Sequence, residues 1–309
     1  RARGAAGEPA HADCDQAAIS DDGARVAFAC EGALDPADTN RLDDIYLRDL
    51  ASGTTVLVSR RSGAGPAAEG GSRFPALSAT GEYVAFDSEA RNLDPAYAGG
   101  GTQVYRRRIG GGDAVVVVSR RSQASGGIPV GGTEPSISDD GARVAFTHYP
   151  AVEVDPADTN GVSDVYVHDL ATGTTILASR AAGNGAVGNR GSRAPALSGD
   201  GSAVAFESEA NNFDFGQDPD TGPDIYRRTV VGATTTQNTV LVDVNAGGAK
   251  GVSSRRPSID DSGNVVGFVS AATGLDPADT DPSADAYVKN LATNVTHLVT
   301  RADGAGGAA

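Results

Sequence analysis

Short runs of alternating apolar residues, broken by turns rich in Asp, Ser and Gly, fill this chain from residue 14 almost to its end. In Ile19–Phe28 (ISDDGARVAF) one run leads into Asp21-Asp22-Gly23, and Val26-Ala27-Phe28 returns from it. Gly at the turn supplies a positive φ at no steric cost, so the pattern predicts two strands in a tight hairpin. The same segment recurs at Leu77–Phe86, Ile137–Phe146, Leu197–Phe206 and, more loosely, Ile259–Phe268. Between the closing phenylalanines, Phe28, Phe86, Phe146, Phe206 and Phe268, the intervals are 58, 60, 60 and 62 residues. Five copies of one unit therefore make up the chain, and no copy is large enough to bury its own apolar faces alone.

Each copy continues in the same way. A loop such as Leu34–Asn40 leads to a third run, Asp44–Asp49, then to a turn at Ala51-Ser52-Gly53 and a fourth run, Thr54–Arg60. The turn glycines Gly53 and Gly173 become Asn294 in the last copy, the residue that best replaces Gly in a left-handed conformation. Period two prevails throughout and a helical period is absent, so each copy predicts four short antiparallel strands. Large residues alternate with Ala in Val84-Ala85-Phe86 and its equivalents, which suits a sheet packed on both faces. Tyr46, Tyr105, Tyr166, Tyr226 and Tyr287 recur in the third strand and are expected in the core.

The expected fold is all-β: a five-bladed β-propeller whose blades are four-stranded antiparallel sheets of about 60 residues. Residues 1–13 read as a tail and 14–309 as a single propeller domain, with blades near 14–73, 74–133, 134–193, 194–255 and 256–309. The first copy opens with its own first strand and the last ends with its own fourth. Closure without strand exchange follows.

The net charge of −15 repels phosphate backbones and anionic lipid, which argues against nucleic acid as a partner. No apolar run approaches the roughly 18 residues of a membrane helix, so membrane insertion is not expected. Only Lys250 and Lys289 are lysines among the 25 basic residues. Catalytic signatures are missing: there is no Gly-x-Ser-x-Gly elbow, His-Glu-x-x-His or phosphate-binding Gly-Lys-Ser/Thr, and His11, His148, His168 and His297 occupy unrelated repeat positions. His168 shares its position with Arg48, Arg107, Arg228 and Lys289, a set expected to be basic surface residues.

The repeat, Pro-Ser-Ile-Ser-x-Asp-Gly-x-x-Val-Ala-Phe, then an Asp-Thr-Asn loop, then Asp-Val-Tyr-Val-x-Asp-Leu-Ala-Thr-Gly-Thr-Thr, resembles the TolB-like propeller repeats of exported bacterial proteins. The resemblance covers residues 16–301 and implies a propeller that serves as a scaffold or binding module. It also implies an extracellular or periplasmic location, with a signal peptide removed ahead of Arg1.

In such a blade the tight turns share one edge and the longer loops share the other, so the long-loop face is where recognition is expected. Two residue sets lie there. Asp38, Asn40 and Asp44, repeated as Asp158, Asn160 and Asp164 and as Asp279, Asp281 and Asp285, offer hard oxygens of the kind calcium takes in groups of about six to eight. Asp and Asn also lock turns through their own side chains, and pairing with Arg60, Arg120, Arg180 and Arg301 is the competing expectation. No cofactor is required, and calcium is the one candidate. Arg73, Arg193 and Arg255 stand where the first strand begins, in position to line a channel mouth and hold an anionic group. The first hairpin also predicts a disulfide. Opposed residues about the turn sum to about 45, Cys14 and Cys30 sum to 44, and the equivalent pairs elsewhere are small: Ser72 with Ser88, Ser192 with Ser208, and Ser254 with Ser270. A disulfide belongs to an oxidising compartment.

These features together predict a secreted or periplasmic module that binds a protein or glycan through its long-loop face. The alternatives are a polysaccharide-active lyase or glycosidase working at the channel mouth, and a structural module of a larger surface protein.

Overall fold

A computed structural model of the chain describes residues 12–301, apart from 64, 96, 98, 111, 113, 123–126, 151–153, 214–217 and 232–236. Most of the expected tail, and the segment after Arg301, lie outside the described residues. Five four-stranded antiparallel sheets follow one another in chain order. The first holds β1 (Cys14–Ile19), β2 (Arg25–Cys30), β3 (Asp44–Asp49) and β4 (Thr54–Leu57); the second holds β5 (Ser72–Leu77), β6 (Tyr83–Ser88), β7 (Gln103–Arg108) and β8 (Val115–Val117). The third holds β9 (Thr133–Ile137), β10 (Arg143–His148), β11 (Asp164–Asp169) and β12 (Thr174–Leu177). The fourth holds β13 (Ser192–Leu197), β14 (Ala203–Ser208), β15 (Asp224–Thr229) and β16 (Thr239–Leu241). The fifth holds β17 (Arg255–Ile259), β18 (Val265–Ser270), β19 (Asp285–Asn290) and β20 (Val295–Leu298). This is the strand content of a five-bladed β-propeller, and among the described residues no sheet mixes strands from the two ends of the chain. Among the described residues no helix is long and apolar enough to cross a membrane.

Contacts divide the chain into two compact units, Arg1–Val154 with His168–Thr175 and Asp155–Val167 with Ile176–Ala309. The first two sheets belong to one unit and the last two to the other. Within the first unit, Ala29, Ile45, Leu47 and Val58 of the first sheet pack with Val84, Phe86 and Tyr105 of the second. Within the second unit, Ala205, Ile225 and Val242 pack with Val266, Phe268 and Tyr287. Val84, Ala85 and Phe86 are all fully buried, as are Val204, Ala205 and Phe206, so both faces of the second strand are covered. Alternating Ala with large residues makes this possible without overfilling the space between sheets. The repeated Phe faces the repeated Tyr directly across the register, as Phe86 opposite Tyr105, with ring centroids 5.9 Å apart.

The hairpin turns are locked by the residues that mark them in sequence. Ser20 Oγ donates to Asp22 Oδ1 at 2.7 Å and accepts from Arg25 N, while Gly23 takes φ +68°. Neighbouring turns are linked through the backbone, Asp21 N to Ala79 O and Ala79 N to Asp139 O in the first unit, and Asp200 N to Asp261 O in the second.

Every first strand carries a β-bulge that the repeat does not announce. In β1, Ile19 pairs with Val26 and Ala18 with Ala27, but after a slip of one residue Asp15 pairs with Ala29 and Cys14 with Cys30. The slip coincides with a left-handed residue, Gln16 at φ +52°, repeated as Phe74, Glu134, Ala194 and Arg256 at φ of 51 to 57°. It converts the register sum from 45 to 44. Cys14 and Cys30 are thereby brought face to face and form a disulfide with Cα atoms 4.1 Å apart. In the second and fourth copies the equivalent serines bond each other instead, Ser72 to Ser88 at 2.9 Å and Ser192 to Ser208 at 2.8 Å.

Two expectations are corrected here. The basic set in the third strand is not on the surface: Arg107, Arg228 and Lys289 are at most 1% exposed and His168 is 4%. The Arg107, Arg228 and Lys289 side chains reach back toward the preceding sheet and satisfy carbonyl oxygens where its last strand ends. Arg107 donates to Val58 O, Arg60 O and Gly63 O, and Arg228 to Arg180 O, Ala181 O and Gly183 O. Burial is stable because the fork of donors meets carbonyls that would otherwise go unpaired. His168 bonds Thr175 Oγ1 at 2.8 Å, and burial lowers its pKa to about 4, so the ring is neutral. Arg60, Arg120 and Arg180, expected to pair with the Asp loops, bond the carbonyls of their own exit loops, Gly65 O, Gly127 O and Gly185 O.

Candidate binding site

Strand order places the start of each first strand, the end of the second and the start of the third at one edge, together with the longer loops. At this edge of the second sheet, Arg73 and Asp87 face each other across the register. Arg73 is exposed, and its Nε and Nη2 donate to Asp43 Oδ2 of the preceding sheet at 2.9 and 2.7 Å. At the same position of the fourth sheet, Arg193 Nε lies 3.1 Å from Glu207 Oε2 and Nη1 lies 3.5 Å from Glu209 Oε1. Arg255, opposite Val269, is exposed and has no partner among the described residues. Two of the three predicted arginines are therefore already held by carboxylates.

A pocket of about 350 Å³ opens beside Arg73, with Glu31, Asp43, Asp87 and Glu89 against Arg41 and Arg73 in its lining. Leu42 and Phe74 complete it with apolar surface, and both are exposed. Phe74 sits at φ +51°, where a bulky side chain is rare, and the Gln16 side chain holds its N–H at 2.7 Å. Asp87 is 4% exposed, bonded by the Thr133 hydroxyl and by Glu134 N. Burial pushes its carboxyl up to about 6 against those two bonds. Phe74 and Asp87 were not singled out by the sequence, because the bulge that projects Phe74 and the neighbouring sheet that encloses Asp87 are both tertiary.

The acidic loops take three forms. In the first copy, Asn40 Nδ2 donates to Asp44 Oδ2 and Ala68 O, both at 2.8 Å, while Tyr46 OH donates to Asp38 and Ser59 Oγ to Asp44. The third copy repeats this, with Asn160 Nδ2 on Asp164 Oδ2 at 2.7 Å and Ser179 Oγ on Asp164 Oδ1 at 2.5 Å. Burial raises Asp44 to about 6 and Asp164 to about 7. In the fourth copy an ammonium replaces the amide: Lys250 Nζ lies 3.3, 3.0 and 2.7 Å from Asp218, Asp220 and Asp224. Burial opposes the charge of Lys250, but the three carboxylates raise its pKa above the ordinary value. Asp243 replaces the recurring Ser here and is fully buried; burial and the Asp243 charge push the Asp224 carboxyl up, against the pull of Lys250. In the fifth copy Asp279, Asp281 and Asp285 bring carboxylate oxygens within 4.8 Å of one another. Tyr287 OH donates to Asp279 and Thr300 Oγ1 to Asp285 Oδ1, while Asp285 Oδ2 has no hydrogen-bond partner. Asp218, Asp220 and Asp224 keep the i, i+2, i+6 spacing of Asp38, Asn40 and Asp44, a signal in the sequence that points to the fourth loop as well.

The sequence matches no protein-family model and no curated protein. Solved structures do match. TolB from Acinetobacter baumannii superimposes with a TM-score of 0.52 at 16% identity over 91% of this chain, which spans 54% of that protein. A putative TolB from Agrobacterium tumefaciens gives 0.52 at 15% identity, covering 93% of this chain and 80% of that one. The β-propeller domain of the Trilobed protease from Pyrococcus furiosus gives 0.52 at 9% identity, with 95% and 74% covered. At such identities the likeness speaks for the fold alone, and it agrees with the five sheets and the repeated turns: the chain has the fold of the TolB-like β-propellers.

Proposed function

We propose that this protein is an exported binding module that takes a protein or glycan segment at the long-loop edge of its first unit, in the pocket beside Arg73. The observation that carries this reading is Phe74: an exposed aromatic ring, held in a left-handed conformation, over a pocket with more carboxylates than guanidinium groups. Strained residues persist where the surrounding structure maintains them, and they gather at ligand sites. The ring offers an apolar face, and Glu31, Asp43, Asp87 and Glu89 offer acceptors for hydroxyl or ammonium groups. The disulfide of Cys14 and Cys30 supports an oxidising compartment. Calcium at Asp279, Asp281 and Asp285 is a second element of the proposal, favoured by the convergence of those carboxylates.

The test is binding of the purified chain to a glycan array and to a library of Lys-containing peptides, with Phe74→Ala and Asp87→Asn in parallel. Each substitution is expected to weaken the selected ligand about tenfold, and Phe74→Ala to leave the melting curve in place. Equal binding by Phe74→Ala and wild type overturns the site, and turnover of a bound glycan overturns the binding-module reading in favour of an enzyme.

A further inference from the structure

The chain has two lysines, and both line one cavity. This cavity, about 860 Å³, lies in the second unit, and its polar wall is made by Lys250, Lys289, Arg227, Asn238, Asn264 and Asn294. Among the described residues no carboxylate lines it, in a protein of net charge −15.

The cavity arises at one repeat position. In the fourth sheet Arg228 spans the gap to the preceding exit loop and bonds Arg180 O, Ala181 O and Gly183 O. In the fifth sheet the same position is Lys289, whose point-like ammonium reaches one carbonyl of the corresponding loop, Val244 O at 2.7 Å, and then turns to Asn294 O and Oδ1 at 3.2 and 2.6 Å. Space that a guanidinium fills elsewhere is left open.

The charges around that space are unequally met. Lys250 is neutralised by Asp218, Asp220 and Asp224. Lys289, 1% exposed, has only neutral oxygens as partners, and burial pulls its pKa down with no carboxylate to oppose it. Arg227 bonds neutral oxygens, Gly263 O at 3.0 Å and Thr229 Oγ1 at 2.8 Å, but the charges of Asp200 and Asp260 partly oppose the effect of its burial. The Asn238 side chain makes no hydrogen bond among the described residues. A buried cation such as Lys289, with no carboxylate bonded to it among the described residues, is unfavourable, and an oxyanion in the adjoining cavity relieves it.

From this we infer a second ligand site: a small hydroxylated molecule carrying a carboxylate or phosphate, its oxyanion on Lys289 and Arg227 and its hydroxyls on Asn238 and Asn264. This site is independent of the pocket beside Arg73.

Calorimetric titration of the intact chain with inorganic phosphate and with gluconate, at ionic strength held constant with sodium chloride, tests it. Binding of either above the chloride control is expected, and the preferred anion separates phosphate from carboxylate ligands. Lys289→Arg should restore the arrangement of Arg228, fill the cavity, raise the melting temperature and weaken binding about tenfold or more. Asn238→Ala, at an exposed position, should weaken binding about threefold with an unchanged melting curve. Failure of both anions to bind, or binding by Lys289→Arg equal to wild type, overturns the inference.

Discussion

The fourth and fifth sheets carry the same acidic loop with the same spacing and differ in how its charge is met. Asp218, Asp220 and Asp224 close around Lys250 Nζ, whereas Asp279, Asp281 and Asp285 face one another with neutral hydroxyl and backbone N–H donors among the described residues. Buried like charges raise the free energy of the folded state unless they are protonated or paired. One copy has built its cation into the chain, supplied about 30 residues downstream. The other, on the proposal made above, takes its cation from solution.

The most severe way to break this comparison is Lys250→Met. Removing one partner of a buried ion cluster leaves uncompensated carboxylates, and a loss of about 3 kcal/mol is expected in urea unfolding. Calcium should recover part of that loss, because the vacated loop then resembles the fifth. A melting curve indistinguishable from wild type would show that Lys250 is not what holds the fourth loop.

A smaller effect is expected from pH. Asp44, Asp87 and Asp164 are raised to about 6, 6 and 7, chiefly by burial. Below the ordinary carboxyl range these groups are protonated in both states. Between about 4 and about 7 the folded state still holds protons that the unfolded chain has released, so their favourable contribution fades as pH rises through their folded values. The melting temperature should therefore be higher near pH 5 than near pH 8, and Asp164→Asn should flatten that difference. A melting temperature that climbs from pH 5 to pH 8 would contradict the assignment.

The smallest effect separates the loops under native conditions. If the fifth loop takes calcium, millimolar calcium should raise the melting temperature by about 2 °C, and Asp285→Asn should abolish the shift while Asp224→Asn leaves it. An equal response from both variants would mean that the two loops do not differ as ligand sites.

Much of the architecture was legible because it is local. Turn glycines, alternating Val-Ala-Phe segments and the recurring Tyr each act within one hairpin or one sheet, so five copies, four strands per copy and the matched cysteines follow from the chain alone. The candidate site was legible only in part. Arg73 could be placed at the start of its strand, but its pairing with Asp43, the burial of Asp87 against Thr133 and the exposure of Phe74 all depend on the neighbouring sheets. The basic residues at Arg107, Arg228 and Lys289 illustrate the same limit: polar side chains predict a surface until the neighbouring carbonyls that bind them are in place.

By itself, then, the sequence determined the repeat, the strand pattern, the hairpin turns and the small facing residues that admit a disulfide, because hydrophobic period and turn chemistry are encoded within a few positions. Tertiary structure alone decided the bulge that aligns Cys14 with Cys30, which cations are buried, which acidic loop carries its own ammonium and where cavities open. Each of those outcomes depends on groups from separate sheets or distant loops competing for the same space, hydrogen bonds and charge.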